Sequence, residues 1–279
     1  MIGSEGLKGK IRNIANSKNL RSQEVLQMFF FERFLERLSK SKYKFNFVIK
    51  GGLLISSMIG IDNRTTMDMD TTIKGVPLKE EVIRNIISEI INVEVDDGIE
   101  FEITNISHIR EEDEYENFRV HLIANFDKIK NDIKIDITTG DAITPKEIEY
   151  LYPCMFQEES LRVLAYPLET ILAEKYESVI KRNISTTRMR DFYDLYNLYN
   201  LRKEEIDFDI LKQAIISTAN RRGSFSLMKQ AMEIIKDIKE DDYLKELWKV
   251  YLADNLYVGD LNFLETVKVV ELIEEKIAL

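Results

Sequence analysis

A single cysteine, Cys154, stands in 279 residues. It leaves no intramolecular disulfide to form and no thiolate cluster for a structural zinc site, which is the usage of a reducing compartment, so a cytoplasmic protein is expected. Only 4 prolines and 11 glycines are present, too few for a collagen-like or linker-dominated chain. No apolar run nears the roughly 18 residues of a membrane span, and the N-terminal segment lacks the apolar core of a secretory signal; neither membrane association nor export is expected. Positive charge is scarce as well: 39 Lys and Arg face 49 Asp and Glu, a net charge of −10. That excludes binding of nucleic acid by bulk basicity and leaves only local patches to hold a polyanion. Two runs without an acid qualify, Lys8, Lys10, Arg12, Lys18 and Arg21, and Lys181, Arg182, Arg188 and Arg190. Each alone reads more simply as a solvated helix face, and the acidic run over 111–116 reads as a solvated loop. With 44% hydrophobic and 10% aromatic residues, the chain can bury the core of one large domain or two small ones.

The spacing of apolar residues predicts two lobes, 1–160 and 161–279. In the first, Val25, Leu26, Phe29, Phe30, Phe34, Leu35 and Leu38 recur at helical intervals over 22–38, behind Ser22 as a possible cap. FNFVIK reads as a short strand broken by Gly51-Gly52, residues 53–59 as a short helix closed by Gly60, and MDMDTTIKG as a second strand. A helix is expected over 79–91 and strands over 100–109, 118–126 and 133–139. The fold class is therefore α/β (α+β), a mixed, helix-flanked sheet. Beyond Pro167 the spacing is helical in 168–182, 189–201, 209–220, 225–238, 243–253 and 261–277, as in a compact bundle. Cys154 and Trp248 are expected in the core, as are Phe192, Leu195 and Leu198, with Tyr193, Tyr196 and Tyr199 beside them. His108 and His121 lack ligand-spaced partners and read as ordinary strand residues.

Within MDMDTTI, Asp68 and Asp70 are two apart, which in a strand places both carboxylates on one face. Like charges so close repel unless a cation lies between them, so the pair makes sense as a Mg²⁺ or Mn²⁺ site, although Asp-x-Asp is also common on solvated strands. In IKIDI, Asp136 is an acid on the polar face of a strand whose Ile133, Ile135 and Ile137 form the other face. If the two strands are neighbours, three carboxylates converge, a set able to hold two divalent ions for phosphoryl or nucleotidyl transfer. Gly51-Gly52, between strand and helix, lets backbone N–H groups approach a phosphate at the helix N-terminus.

Gly-Gly, a short helix, Asp-x-Asp and a third Asp on a later strand, in that order, resemble the DNA polymerase β nucleotidyltransferase superfamily. KGGLLISSMIGIDNRTTMDMD is similar to its AbiEii/AbiGii branch, the toxins of abortive-infection toxin–antitoxin pairs. LAEKYESVIKRNISTTRMRDFYDLYNL, residues 172–198, is similar to that branch's C-terminal motif of a helical Lys, a basic residue, an Asp and an Asp-Leu-Tyr run. The resemblance spans most of 45–200; later residues match only in being helical. It departs at Leu53, where many members carry Ser or Thr, and at Arg190, where Lys is frequent.

The resemblance implies Asp68, Asp70 and Asp136 as metal ligands, with Asp136 as possible base for the attacking hydroxyl. It implies Lys175 as a contact to the triphosphate and Asp191 as an essential acid, either orienting Lys175 or holding the attacking group. Gly51, Gly52, Ser56 (or Ser57) and Arg64 would meet phosphate. The expected activity is Mg²⁺- or Mn²⁺-dependent transfer of a nucleotidyl group from an NTP to an acceptor hydroxyl, with tRNA or another RNA as acceptor and a cognate antitoxin protein as partner. The rivals are a protein or small-molecule acceptor, and a catalytically silent nucleotide-binding protein. Read without the resemblance, Lys175 is an exposed helical lysine, Arg64 a surface residue, and Arg190 with Asp194 a surface ion pair.

Overall fold

The structure is a computed structural model that describes residues 3–109 and 117–278; the acidic run over 111–116 lies outside the described residues. The chain divides into two compact units, Met1–Gly140 with Ile148–Ala165, and Asp141–Glu147 with Tyr166–Leu279.

The first unit is built on a seven-stranded mixed sheet. Its strands are β1 (Phe47–Lys50), β2 (Asp68–Ile73), β3 (Glu100–His108), β4 (Phe118–Phe126), β5 (Ile129–Thr138), β6 (Ile148–Tyr152) and β7 (Leu161–Ala165), in the order β3-β4-β5-β2-β1-β7-β6. The pairs β2/β5 and β1/β7 are parallel, and the other four are antiparallel. In β4 and β5 every second residue is buried, so Val120, Leu122, Ile133, Ile135 and Ile137 are at most 1% exposed. Against the sheet pack α2 (Ser22–Lys40), which touches β5 and β7, and α4 (Glu80–Ile91), which touches β3. Their apolar stripes, Phe30, Phe31, Phe34 and Leu35 on one and Ile83, Ile86, Ile87 and Ile90 on the other, are buried. Interior stripes of this kind supply most helical stability. α2 also buries charge. Arg37 forks onto Asp97 at 2.8 and 2.9 Å, and burial pushes the Glu32 carboxyl up to about 7 although it accepts the Met155 N–H.

Several elements differ from the sequence reading. Ser22 is the first residue of α2 rather than its cap; the Glu24 carboxylate instead accepts the Arg21 N–H. α3 (Gly51–Ile59) begins on the glycines themselves, and β5 begins at Ile129. Lys8, Lys10 and Arg12 of the N-terminal basic run lie on α1 (Ser4–Ser17), which buries Leu7, Ile11 and Ala15, while Lys18 and Arg21 flank it. β6 and β7 escape pattern reading because neither alternates clearly: β6 exposes four of its five residues at least partly. β7 belongs to the first unit and 141–147 to the second. Cys154 is half-buried rather than core, and burial raises its thiol to about 11.

The second unit is helical: α5 (Leu168–Arg182), α6 (Met189–Arg202), α7 (Phe208–Arg221), α8 (Phe225–Met228), α9 (Ala231–Glu240), α10 (Asp242–Asp254) and α11 (Phe263–Ile277). The helix expected over 225–238 is thus two. α5 packs on α6 and α7, and α6 on α11. Phe192, Leu195, Leu198 and Trp248 are buried, and the Trp248 indole donates to the Leu261 carbonyl at 2.8 Å. Among the described residues no helix is long and apolar enough to cross a membrane.

Candidate active site

Strand register brings the sequence-predicted acids of the first unit together. On β2, Asp70 is paired with Lys50 of β1 on one side and with Asp136 of β5 on the other, and Asp136 is paired in turn with Arg119 of β4. Paired residues of neighbouring strands share a face, so a row across the sheet reads Arg119, Asp136, Asp70, Lys50: two acids flanked by two cations. Asp68, two residues before Asp70, is on the same face opposite Lys134. The face is polar because the alternation that buries Ile133, Ile135 and Ile137 turns Asp132, Lys134 and Asp136 the other way.

The two cations are engaged. Arg119 forks onto Asp136, Nε to Oδ1 at 2.7 Å and Nη2 to Oδ2 at 2.8 Å, the bidentate geometry that makes an arginine–carboxylate pair strong. Hydrogen bonding to Asp136 holds the guanidinium well above its ordinary pKa; partial burial opposes this, and the charges of Asp136, Asp68 and Asp70 reinforce it. One guanidinium therefore feels all three predicted ligands. Lys50 Nζ donates to Thr138 Oγ1 at 2.8 Å. Arg119 lies in no quoted motif, and Lys50, though it opens KGGLLISSM, carries no assigned role there. The signals were the polar phase of FRVHLIANF, which puts Arg119 on the open face, and the position of Lys50 immediately before Gly51.

The Gly-Gly turn is built against this row. Gly51 has φ +63°, and a Cβ there would come within 2.0 Å of Asp70 Oδ2. Only glycine allows both that backbone and that approach. A Cβ on Gly52 would meet Thr66 Oγ1 at 2.7 Å and Arg64 Nη2 at 3.0 Å. Arg64 is buried, donates to the Thr65 carbonyl and braces the turn from inside, which corrects its reading as a surface residue. Ser56 is also fully buried and donates to the Arg64 carbonyl at 2.5 Å. Its hydroxyl fastens the loop between α3 and β2, so the expectation that it meets phosphate is corrected. Ser57 donates to the Leu54 carbonyl and meets the Tyr150 hydroxyl at 3.0 Å.

Asp68, Asp70 and Asp136 are an oxygen-only donor set suited to Mg²⁺ or Mn²⁺, and a guanidinium already stands in for a cation beside them. Among the described residues no three His, Cys, Asp or Glu side chains are gathered closely enough to hold a metal ion as they stand. The donor chemistry fits, while both oxygens of Asp136 are engaged by Arg119.

In the second unit Lys175 is not the exposed lysine its position on α5 suggests. Its ammonium sits 2.6 Å from Asp191 Oδ1 and 2.9 Å from Asp194 Oδ2, and its side chain is 19% exposed. Ser178 donates to the other Asp191 oxygen at 2.9 Å. Both acids come from α6, so the Asp-Phe-Tyr-Asp spacing presents two carboxylates on one side of the helix to α5. Asp194 is fully buried with Lys175 as partner, which replaces the expected surface pair with Arg190. Sequence reasoning passed over Asp194 as a binding group. The two basic runs are partly committed: Lys8 pairs with Glu5, Lys18 with Asp62, and Lys181 donates to the Arg222 carbonyl.

Residues 33–269 match the family described as Nucleotidyl transferase AbiEii toxin, Type IV TA system. No curated protein matches the chain significantly in sequence. Two crystal structures from Helicobacter pylori are similar in fold, one of a candidate nucleotidyltransferase and one of JHP933. Each is 18% identical with a TM-score of 0.56 and covers 93% of this chain, and 98% and 95% of the two neighbours are covered in turn. At that identity the likeness shows the fold alone.

Proposed function

Because the chain belongs to the AbiEii nucleotidyltransferase toxin family, we propose that it transfers a nucleotidyl group from an NTP to the hydroxyl of an RNA acceptor, tRNA among the candidates, and is restrained by a protein antitoxin. Membership supports the enzyme class and the antitoxin. The observation that carries the chemical reading is the transverse row in which Asp70 and Asp136 are neighbours on the open sheet face, with Asp68 two residues along and Gly51 against Asp70.

In the proposed reaction the acceptor oxygen forms a bond to the α-phosphorus, the bond from that phosphorus to the α,β-bridging oxygen breaks, and pyrophosphate leaves. Asp68, Asp70 and Asp136 would hold Mg²⁺ or Mn²⁺, which when bound supplies Lewis-acid stabilisation of charge on the phosphate oxygens. Asp136, which here accepts from Arg119 at both oxygens, would accept the hydroxyl proton at a carboxylate oxygen once that fork opens. The N–H groups that open α3 at Gly51 and Gly52 would meet the phosphates as an anion-binding end. By family resemblance Lys175, held between Asp191 and Asp194, would contact the triphosphate as a compact point charge.

An acceptor bearing phosphates suits the open face. His121, Lys130 and Lys134 line a hollow of about 450 Å³ with Gln23 and Thr104, and Lys134 is the register partner of Asp68. Incubation with α-labelled NTP, Mg²⁺ and total RNA is expected to label RNA that nuclease, and not protease, degrades. Labelling should stop with EDTA and weaken steeply with salt. Label confined to protein or to small molecules, or undiminished in EDTA, contradicts this reading.

A further inference from the structure

Arg119 belongs to none of the family's motifs quoted above, yet both oxygens of Asp136 are hydrogen-bonded to it. It also lies in the field of Asp68 and Asp70. A monovalent guanidinium thus stands beside the three acids that would hold a divalent ion, forked onto one of them. These facts have one physical reason. With Asp136 drawn along the row toward β4, the third carboxylate is turned to an internal cation, and the repulsion between Asp136 and Asp70 is relieved without any bound ion. Resting on the nucleotidyltransferase reading, we propose that Arg119 is a positioning residue that occupies the place of the divalent cation, so that the Arg119–Asp136 pair and metal binding at Asp68, Asp70 and Asp136 compete.

The competition is electrostatic as well as geometric. A guanidinium left beside a divalent ion is repelled by it, and a carboxylate that keeps a bidentate fork has only its outer lone pairs for a metal. The Arg119 side chain is 34% exposed and can withdraw toward water, while Asp136, 13% exposed, needs the incoming ion in its place. A guanidinium so released, still next to the acids, is available to the negative charge that an NTP brings. Arg119 would then keep the site shut to stray cations and open it when metal and nucleotide arrive together.

The test is Mn²⁺ titration of the full chain, followed by the electron paramagnetic resonance of the free ion, for the wild type, Arg119→Gln, Arg119→Lys and Asp70→Ala. Without nucleotide, Arg119→Gln is expected to bind Mn²⁺ on the order of tenfold more tightly than the wild type. Arg119→Lys should lie between, since an ammonium keeps the charge and loses the fork. Asp70→Ala should remove the binding, and Mn²⁺ should raise the melting temperature of Arg119→Gln more than that of the wild type. Should Arg119→Gln fail to fold, the smaller tightening in Arg119→Lys decides. Mn²⁺ affinity that depends on Asp70 but is unchanged or weakened in the folded Arg119 variants overturns this inference alone. Mn²⁺ binding indifferent to Asp70 in every variant overturns the metal-dependent reading beneath it too.

Discussion

Asp70→Ala is expected to lower nucleotidyl transfer by on the order of a thousandfold or more while leaving the chain folded. Asp70 is the centre of the row, register partner to both Asp136 and Lys50 and in contact range of the Gly51 backbone. On the metal-dependent reading proposed above, its loss removes a ligand and with it the charge that would favour a small hard cation. It relieves the repulsion with Asp136 but takes the carboxylate from beside Lys50, so unfolding free energy should change by about 1 kcal/mol. Asp68→Ala should behave alike. Initial rates with labelled NTP, beside urea denaturation of the same preparations, check both statements; a folded variant with wild-type turnover rules out the acidic row as the reaction centre.

Lys175→Ala should combine two losses. The Asp194 side chain is fully buried and that of Asp191 is 7% exposed, so deleting the ammonium strands charge in the interior. Breaking a buried pair in this way typically costs about 3–5 kcal/mol. If the ammonium also neutralises charge growing on the departing pyrophosphate, turnover should fall more than NTP affinity, because the contact strengthens in the transition state. Lys175→Arg separates the two. It keeps a cation between Asp191 and Asp194, so stability should largely return, whereas the broad planar fork should restore turnover only in part. Wild-type turnover in Lys175→Arg, with Lys175→Ala merely unstable, would make the lysine a structural ion-pair partner.

Much of this was legible in the residues. The alternation of FRVHLIANF and IKIDI showed two strands and the face on which Asp136 points, because a period of two leaves no choice once one face is apolar. The helices of the second unit were legible for the corresponding reason at a period near 3.6. Register was not: that Asp136 meets Asp70, and Arg119 meets Asp136, depends on which strands pair and in what phase, and no local pattern states this. Inward-facing polar groups were misread for a related reason. Arg64, Ser56 and Asp194 have the composition of surface residues, and their burial follows from partners supplied by other elements, the Gly52 turn, the Arg64 carbonyl and Lys175. The short strands β6 and β7 carried too little alternation to be seen. The family was visible in two motifs far apart in the chain, and the match over residues 33–269 joins them.

The claim tested most directly by one measurement is that the chain transfers a nucleotidyl group. Parallel reactions with NTP labelled at the α- or at the γ-phosphate, Mg²⁺ and total RNA, using the wild type and Asp70→Ala, report which phosphorus reaches the acceptor. The account predicts α-label on the acceptor, γ-label released in pyrophosphate, and neither event with Asp70→Ala. Transfer of the γ-label, or α-label incorporated equally well by Asp70→Ala, would contradict it.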